Sequence, residues 1–288
     1  MYLLIGIKAY TNIFIVNFGG DMSNKKALIK IWIVFIAFLI IFVANFTIKS
    51  SISPTSRMWL VLDGFALIIA IVILAKYGIP NKKHIIISAI LGILMFVAAL
   101  SFNFSSIKSF ICTTIAALAV LSVSERFEKT GLVLLGSKSK KYILITIGIG
   151  ICVGVVLGII NLAISNGTLN LKLSIECILL SLNPGIYEEI ALRALFYSFS
   201  IATLNGEIVT RFENFTCYFI MIIPHVMIHT PEQFLNYGII SGIMSILIFT
   251  ILFGLPFAIL QRKRDVTSAM ISHGLVDSIR FSFLGLPY

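Results

Sequence analysis

Long unbroken runs of apolar residues alternate with short polar joints along this chain, and the runs predict its architecture. Stretches of about 18 or more residues with almost no charge read as membrane-spanning helices. A membrane barrel would instead show segments of about ten residues with alternating polarity. Nine spans are predicted, at 29–48, 58–76, 86–104, 107–124, 142–165, 172–203, 215–229, 237–260 and 266–284. The sixth is long and interrupted, because Pro184 and Gly185 are expected to break one helix and start another. The third and fourth lie so close that a tight turn around Asn103 to Ser106 must join them. The expected fold class is therefore all-α, a polytopic transmembrane helix bundle with eight or nine spans. The first twenty residues are apolar but carry Lys8 and show no small-residue cleavage site before Asp21, which reads as an interfacial segment and not as a signal peptide.

Composition agrees with the pattern. Of the 288 residues, 59% are hydrophobic and 12% charged, with a mean hydropathy of +1.05. Soluble domains carry about 25% charged residues, and half of that cannot cover a water-facing surface. The most polar interior stretch, Ser124 to Lys141 (SERFEKTGLVLLGSKSKK), separates two parts. Residues 1–130 form an N-terminal membrane region with the interfacial segment and four spans, and residues 131–288 a second membrane domain with five.

Charge orients the bundle. Placing the joints on alternating sides puts sixteen Lys and Arg on the side of the N-terminus and four (Lys49, Arg57, Lys108, Lys172) on the other, with Arg193 and Arg280 inside spans. Basic residues mark the cytoplasmic side. The net charge of +10 thus reflects topology and anionic lipid, and no nucleic-acid partner is expected. The expected location is a cell membrane, crossed many times, and the abundance of Ile, Lys and Asn fits an AT-rich bacterial genome. The four cysteines (Cys112, Cys152, Cys177, Cys217) fall in apolar spans without a C-x-x-C pair and read as small buried hydrophobes. Gly150, Gly154 and Gly158 in the fifth span, and Gly238 and Gly242 in the eighth, have the spacing that lets helix backbones pack closely.

Ionisable residues are costly at mid-bilayer, about 2.5–3.5 kcal/mol each on insertion scales. Away from their ends the first five spans carry one, Asp63, expected to face a neighbouring helix or to sit near the outer interface close to Arg57. The last four carry Glu176, Glu188, Glu189, Arg193, His225, His229, His273, Asp277 and Arg280. A functional site is the default reading of such a concentration.

Three clusters result. In Asn183-Pro-Gly-Ile-Tyr-Glu-Glu-Ile-Ala-Leu-Arg193, Glu189 and Arg193 stand four apart on one helix face as a structural ion pair. Glu188 points about 100° away and is left free, as a general base requires. A salt bridge tying helices together would explain Glu189 and Arg193 but not Glu188. In the second cluster His225 and His229 share a face, flanked by Pro224 and Pro231; a helix–helix hydrogen-bonding pair is the plain alternative. H-E-x-x-H is absent, so the zinc-protease signature fails. These histidines, His273 and a carboxylate could hold zinc, but in no known zinc spacing; no metal or other cofactor is expected. In the third, His273 and Asp277 stand one turn apart, a catalytic arrangement or equally a satisfied polar pair.

Taken in order, Glu-Glu-x-x-x-Arg, a histidine in a following span and His-x-x-x-Asp near the C-terminus resemble the CPBP family. That family comprises CAAX prenyl endoproteases and bacteriocin-processing or self-immunity proteins, also called ABI. The resemblance covers roughly residues 140–285 and implies an intramembrane endopeptidase of glutamate type acting on a membrane-associated peptide or protein tail. By that analogy Glu188 activates water with a histidine of the second motif, His273 and Asp277 stabilise the oxyanion, and Glu189 and Arg193 hold the architecture. The family's second motif is usually Phe-x-x-x-His, whereas Met221 stands four before His225, and His225 four before His229. His229 is favoured as the catalytic histidine because His-x-Pro often ends that motif, leaving His225 in a supporting or packing role. Position 277 holds Asp, an accepted variant of Asn. No G-x-S-x-G or G-x-G-D motif points to a rival protease chemistry. A non-catalytic self-immunity or scaffold protein is the alternative, and a transporter is disfavoured because the N-terminal half lacks matching charged, broken helices. Prenylated tails, peptide pheromones and bacteriocin leaders are the candidate substrates, with peptide processing preferred.

Overall fold

A computed structural model describes residues 25–100, 106–165 and 167–286. The interfacial segment, Lys8 and residues 103–105 of the expected tight turn lie outside the described residues.

Within the described residues the protein is helical, with no strand. The order is α1 (Lys25–Asn45), α2 (Pro54–Tyr77), α3 (Lys82–Leu100), α4 (Ser106–Arg126), α5 (Lys140–Ile164) and α6 (Ile175–Leu182). A π-helical segment, Asn183–Ala194, then runs without a break into α7 (Leu195–Thr203). There follow α8 (Arg211–Met227), α9 (Pro231–Phe249), a π-helical turn Thr250–Gly254, α10 (Leu255–Lys263) and α11 (Val266–Leu284). Local chemistry sets several starts. Ser53 caps α2 ahead of Pro54, Ser139 caps α5, Thr210 and Glu213 form a capping box on α8, and Asp265 caps α11.

Among the described residues six helical stretches are long and apolar enough to cross a membrane: α1 to α5 and the continuous run Pro231–Lys263. Large apolar side chains such as Ile33, Ile40, Ile68, Ile86 and Ile159 stand exposed on them, a surface that suits lipid and not water. Each predicted span coincides with a helical stretch, but three of the nine fall short of that standard. The run from α6 to α7 is divided by its π segment, α8 has only 17 residues, and α11 carries His273, Asp277 and Arg280. These three elements, with the residues just after α8, hold every residue singled out as a candidate site.

Pro184 and Gly185 do not end a helix. Pro184 lacks the N–H that would continue the α-helical ladder, and the chain responds by widening into i→i+5 pairing, a form concentrated at functional sites. Gly185 lets the segment touch α11, since a Cβ there would meet the Met270 carbonyl oxygen at 3.0 Å.

The loops fall into two sets. On one side Tyr77 donates to the Ala202 carbonyl at 2.8 Å, Thr130 to that of Gly206 at 2.9 Å, and Arg262 to Asn214 Oδ1 at 2.9 Å, while Arg264 lies 3.7 Å above the Tyr142 ring. On the other, Arg57 bonds to Asn45 Oδ1 at 2.7 Å, the Thr55 amide donates to Glu232 at 3.1 Å, and the Lys172 amide to the Ser282 carbonyl at 2.7 Å. The first set joins the ends that carry Lys76, Lys82, Arg126, Lys140, Arg211 and Arg262–Arg264, so the basic joints share one face of the bundle. One apolar core runs from Ile31, Phe38 and Leu62 of the N-terminal region to Leu195, Met221 and Ala258 of the C-terminal one.

The glycines of α5 pack against α11, and a Cβ on Gly154 would stand 2.9 Å from both Leu275 Cβ and the Ser272 carbonyl oxygen. Gly154→Val is expected to push α11 away and to cost about 1–3 kcal/mol of overpacking. A lowered melting temperature of the purified protein in detergent is the check, and unchanged melting would refute the close packing. Gly238 plays a different part from the one expected: nothing lies near it, and its φ of 85° marks a kink inside α9. Of the cysteines, Cys177 and Cys217 are buried, Cys112 is half-buried and Cys152 faces outward, and all four are free.

Candidate functional site

The clusters converge at the middle of the bundle, where the π segment, α8, the second π turn, α10 and α11 meet. Arg193 joins most of them. Its Nε donates to Glu189 Oε1 at 3.0 Å, its Nη1 to the Gly254 carbonyl at 3.2 Å, and its Nη2 faces His225 Nδ1 at 3.2 Å. Glu189 is correspondingly saturated. It accepts from Arg193, from His273 Nδ1 at 2.7 Å, and from Gln261 Nε2 at 2.6 Å, and it is 0% exposed. The ion pair stands on one face, in the positions four residues apart that the sequence indicates.

Glu188 is not left free. His225 Nε2 lies 2.8 Å from Glu188 Oε2, and His273 Nε2 lies 3.8 Å from the same oxygen. The second distance exceeds a direct hydrogen bond and is of the size that a shared water or reacting group bridges. His273 Nε2 also faces Asp277 Oδ2 at 3.5 Å, so His273 and Asp277 do share a face. His229 stands one step outside, its Nε2 3.4 Å from His225 Nε2, and is exposed. The histidine in contact with the carboxylate is therefore His225, where the sequence reading favoured His229. Their four-residue spacing would put both on one helical face, but α8 ends at Met227 and His229 stands in the turn beyond it. Only the way α8 docks on the π segment decides which meets Glu188.

Hydrogen-bond roles follow from donor chemistry. A guanidinium has donors and no acceptor, so His225 Nδ1 must present a lone pair to Arg193. The hydrogen of the His225 ring then sits on Nε2 and is donated to Glu188. At His273, Nδ1 donates to the Glu189 carboxylate, which leaves Nε2 directed at Glu188 and Asp277. Glu188, His225 and His229 each offer a donor atom, all within 4.8 Å of one another, a spacing that could hold a metal ion. The Arg193 contact opposes it. A histidine bound to metal through Nε2 needs a hydrogen on Nδ1, and here Nδ1 faces another donor where a ligand histidine would face an acceptor.

Several participants had no motif to announce them. Gln261 sits next to the basic run Arg262–Arg264 and reads from the sequence as a span end, yet it is 1% exposed and holds both the side chain and the backbone carbonyl of Glu189. Phe257 stacks on the His273 ring at 4.4 Å, and Trp59 of α2 meets the His229 ring edge-on at 5.2 Å. Asp63 faces neighbouring helices, the first of its two expected placements. It takes Lys108 Nζ at 2.5 Å and the Tyr187 hydroxyl, which anchors the residue beside Glu188 to the N-terminal helices. Glu176 is exposed in the first turn of α6, and Arg280 is half-buried on α11 close enough to His229 and Asp277 for its charge to act on both. The signals that could have found these residues are weak: an isolated buried-span acid at 63 and a polar residue at the last turn of an apolar run.

Comparison with protein-family models, with curated proteins and with solved structures finds no match for this chain. What the fold and site define, among the described residues, is a helical protein with six membrane-length apolar helices and a buried Glu–His–Arg cluster between its helices.

Proposed function

We propose that this chain is an intramembrane endopeptidase of glutamate type, similar in its motifs to the CPBP family. The observation that carries the reading is Glu188: a buried carboxylate with His225 at 2.8 Å and His273 at 3.8 Å, from two different helices, around one oxygen. Glu188 takes a proton from a water molecule whose oxygen attacks a peptide carbonyl, and gives that proton to the amide nitrogen as the C–N bond breaks and the amine leaves. His225 holds the carboxylate in place through its Nε2 hydrogen. His273 Nε2, with Asp277 beside it, faces the gap where the oxyanion develops and donates there when its ring carries both hydrogens. Glu189, Arg193 and Gln261 keep these groups in position.

On this reading the three shorter or more polar stretches also cross the bilayer, giving nine spans, because their polar groups are satisfied by one another inside the ring of apolar helices. The bilayer and a membrane-associated peptide or protein tail are the partners, in the cell membrane of a bacterium.

The test compares peptides released by cells that make the natural chain with those from cells that make the Glu188→Gln chain. Specific fragments should appear only with the natural chain. In vesicles, cleavage of those peptides should persist in a metal chelator, since Arg193 sets His225 against metal ligation. Identical peptide sets would leave the non-catalytic scaffold or self-immunity reading in its place.

A further inference from the structure

The buried cluster has an exposure gradient with a direction. Toward the face of the basic loops it is sealed: Glu189, Arg193 and Gln261 are 0–1% exposed, and Gln261 stands two residues from Lys263, where α10 ends. Away from that face two polar files lead outward. One runs from Glu188 through His225 to His229, which is exposed and lies beyond Met227, at the end of α8 remote from Arg211. The other runs from His273 through Asp277 to Arg280, both partly exposed, toward Leu284 at the remote end of α11. Trp59, five residues into α2, edges the first file, and Glu232 ties the start of α9 to Thr55 beside it. The loops at this end carry four basic residues, against fifteen described ones on the opposite face.

We infer that the site is entered from the face opposite the basic loops, which positive-inside placement makes the non-cytoplasmic face. The inference rests on the proteolytic reading for its consequence and on burial and loop charge for its geometry. Water reaches Glu188 past His229 and Asp277, and the scissile bond comes to the same end of the bundle. The substrate class is then a polypeptide exposed in the non-cytoplasmic half of the bilayer, such as an exported peptide still anchored by an apolar segment. A lipid-modified tail presented in the cytoplasm would meet the sealed side.

Thiol labelling tests the entrance without requiring catalysis. Single substitutions Ser50→Cys, Lys138→Cys and His229→Cys are introduced into the full chain, whose own four cysteines set the background. A membrane-impermeant maleimide is applied to intact cells and to permeabilised ones. Ser50→Cys and His229→Cys are expected to gain label in intact cells, and Lys138→Cys only after permeabilisation. If His229→Cys fails to accumulate, Arg280→Cys on the second file takes its place. Labelling of the site position only after permeabilisation, or in neither condition, overturns the inference. Equal peptide release by the natural and Glu188→Gln chains would remove the proteolytic reading and leave the labelling result standing by itself.

Discussion

Glu188→Gln is expected to lower cleavage by about 10²–10⁴-fold, the range that a positioned general base contributes, while the chain stays inserted and folded. The amide has the volume of the carboxylate, and its oxygen can still accept the Nε2 hydrogen of His225, so the buried contact at 2.8 Å survives. What it cannot do is take a proton from water. The measurement is product formation at equal amounts of folded protein, with melting temperature as the control on folding. Retained cleavage would exclude Glu188 as the base. His225 of α8 and His229 just beyond its end give a second comparison in the same assay. His225→Ala removes a direct partner of Glu188, whereas His229→Ala removes an exposed residue 3.4 Å beyond it, so the loss should be greater at position 225.

Arg193→Ala should act on stability before it acts on chemistry. Removing one member of a buried ion pair costs about 3–5 kcal/mol, because the remaining charge stays buried without compensation. Here the substitution strands Glu189 with His273 and Gln261, takes the donor from the Gly254 carbonyl, and frees the His225 ring to exchange its hydrogen between nitrogens. Lower abundance and a large drop in melting temperature are expected. Arg193→Lys should recover only part of the loss, since one ammonium cannot reach three partners in the fixed directions of a guanidinium. Wild-type abundance with lost cleavage would reverse this assignment and make Arg193 a participant in the reaction.

The helical class, the apolar outer surface, the α5 glycine stripe and the three polar clusters were all readable in the sequence, because each depends on a local period or on the cost of charge in lipid. The pairing of Glu189 with Arg193, and the shared face of His273 and Asp277, follow from four-residue spacing alone. Other features depend on how separate helices rotate and slide against each other. Two histidines one turn apart have equal claim on Glu188 until α8 is docked, and docking chose His225. The response to Pro184 was a choice between a broken helix and a wider one, and packing of Gly185 against α11 accompanies the wider form. Gln261, Phe257, Trp59 and the Asp63–Tyr187 contact join residues far apart in the chain, so no spacing within one segment could reveal them. Sequence periodicity determined which side chains share a face, and only the tertiary structure decided which faces meet, since that depends on the relative rotation and depth of helices whose hydrophobic patterns would tolerate several.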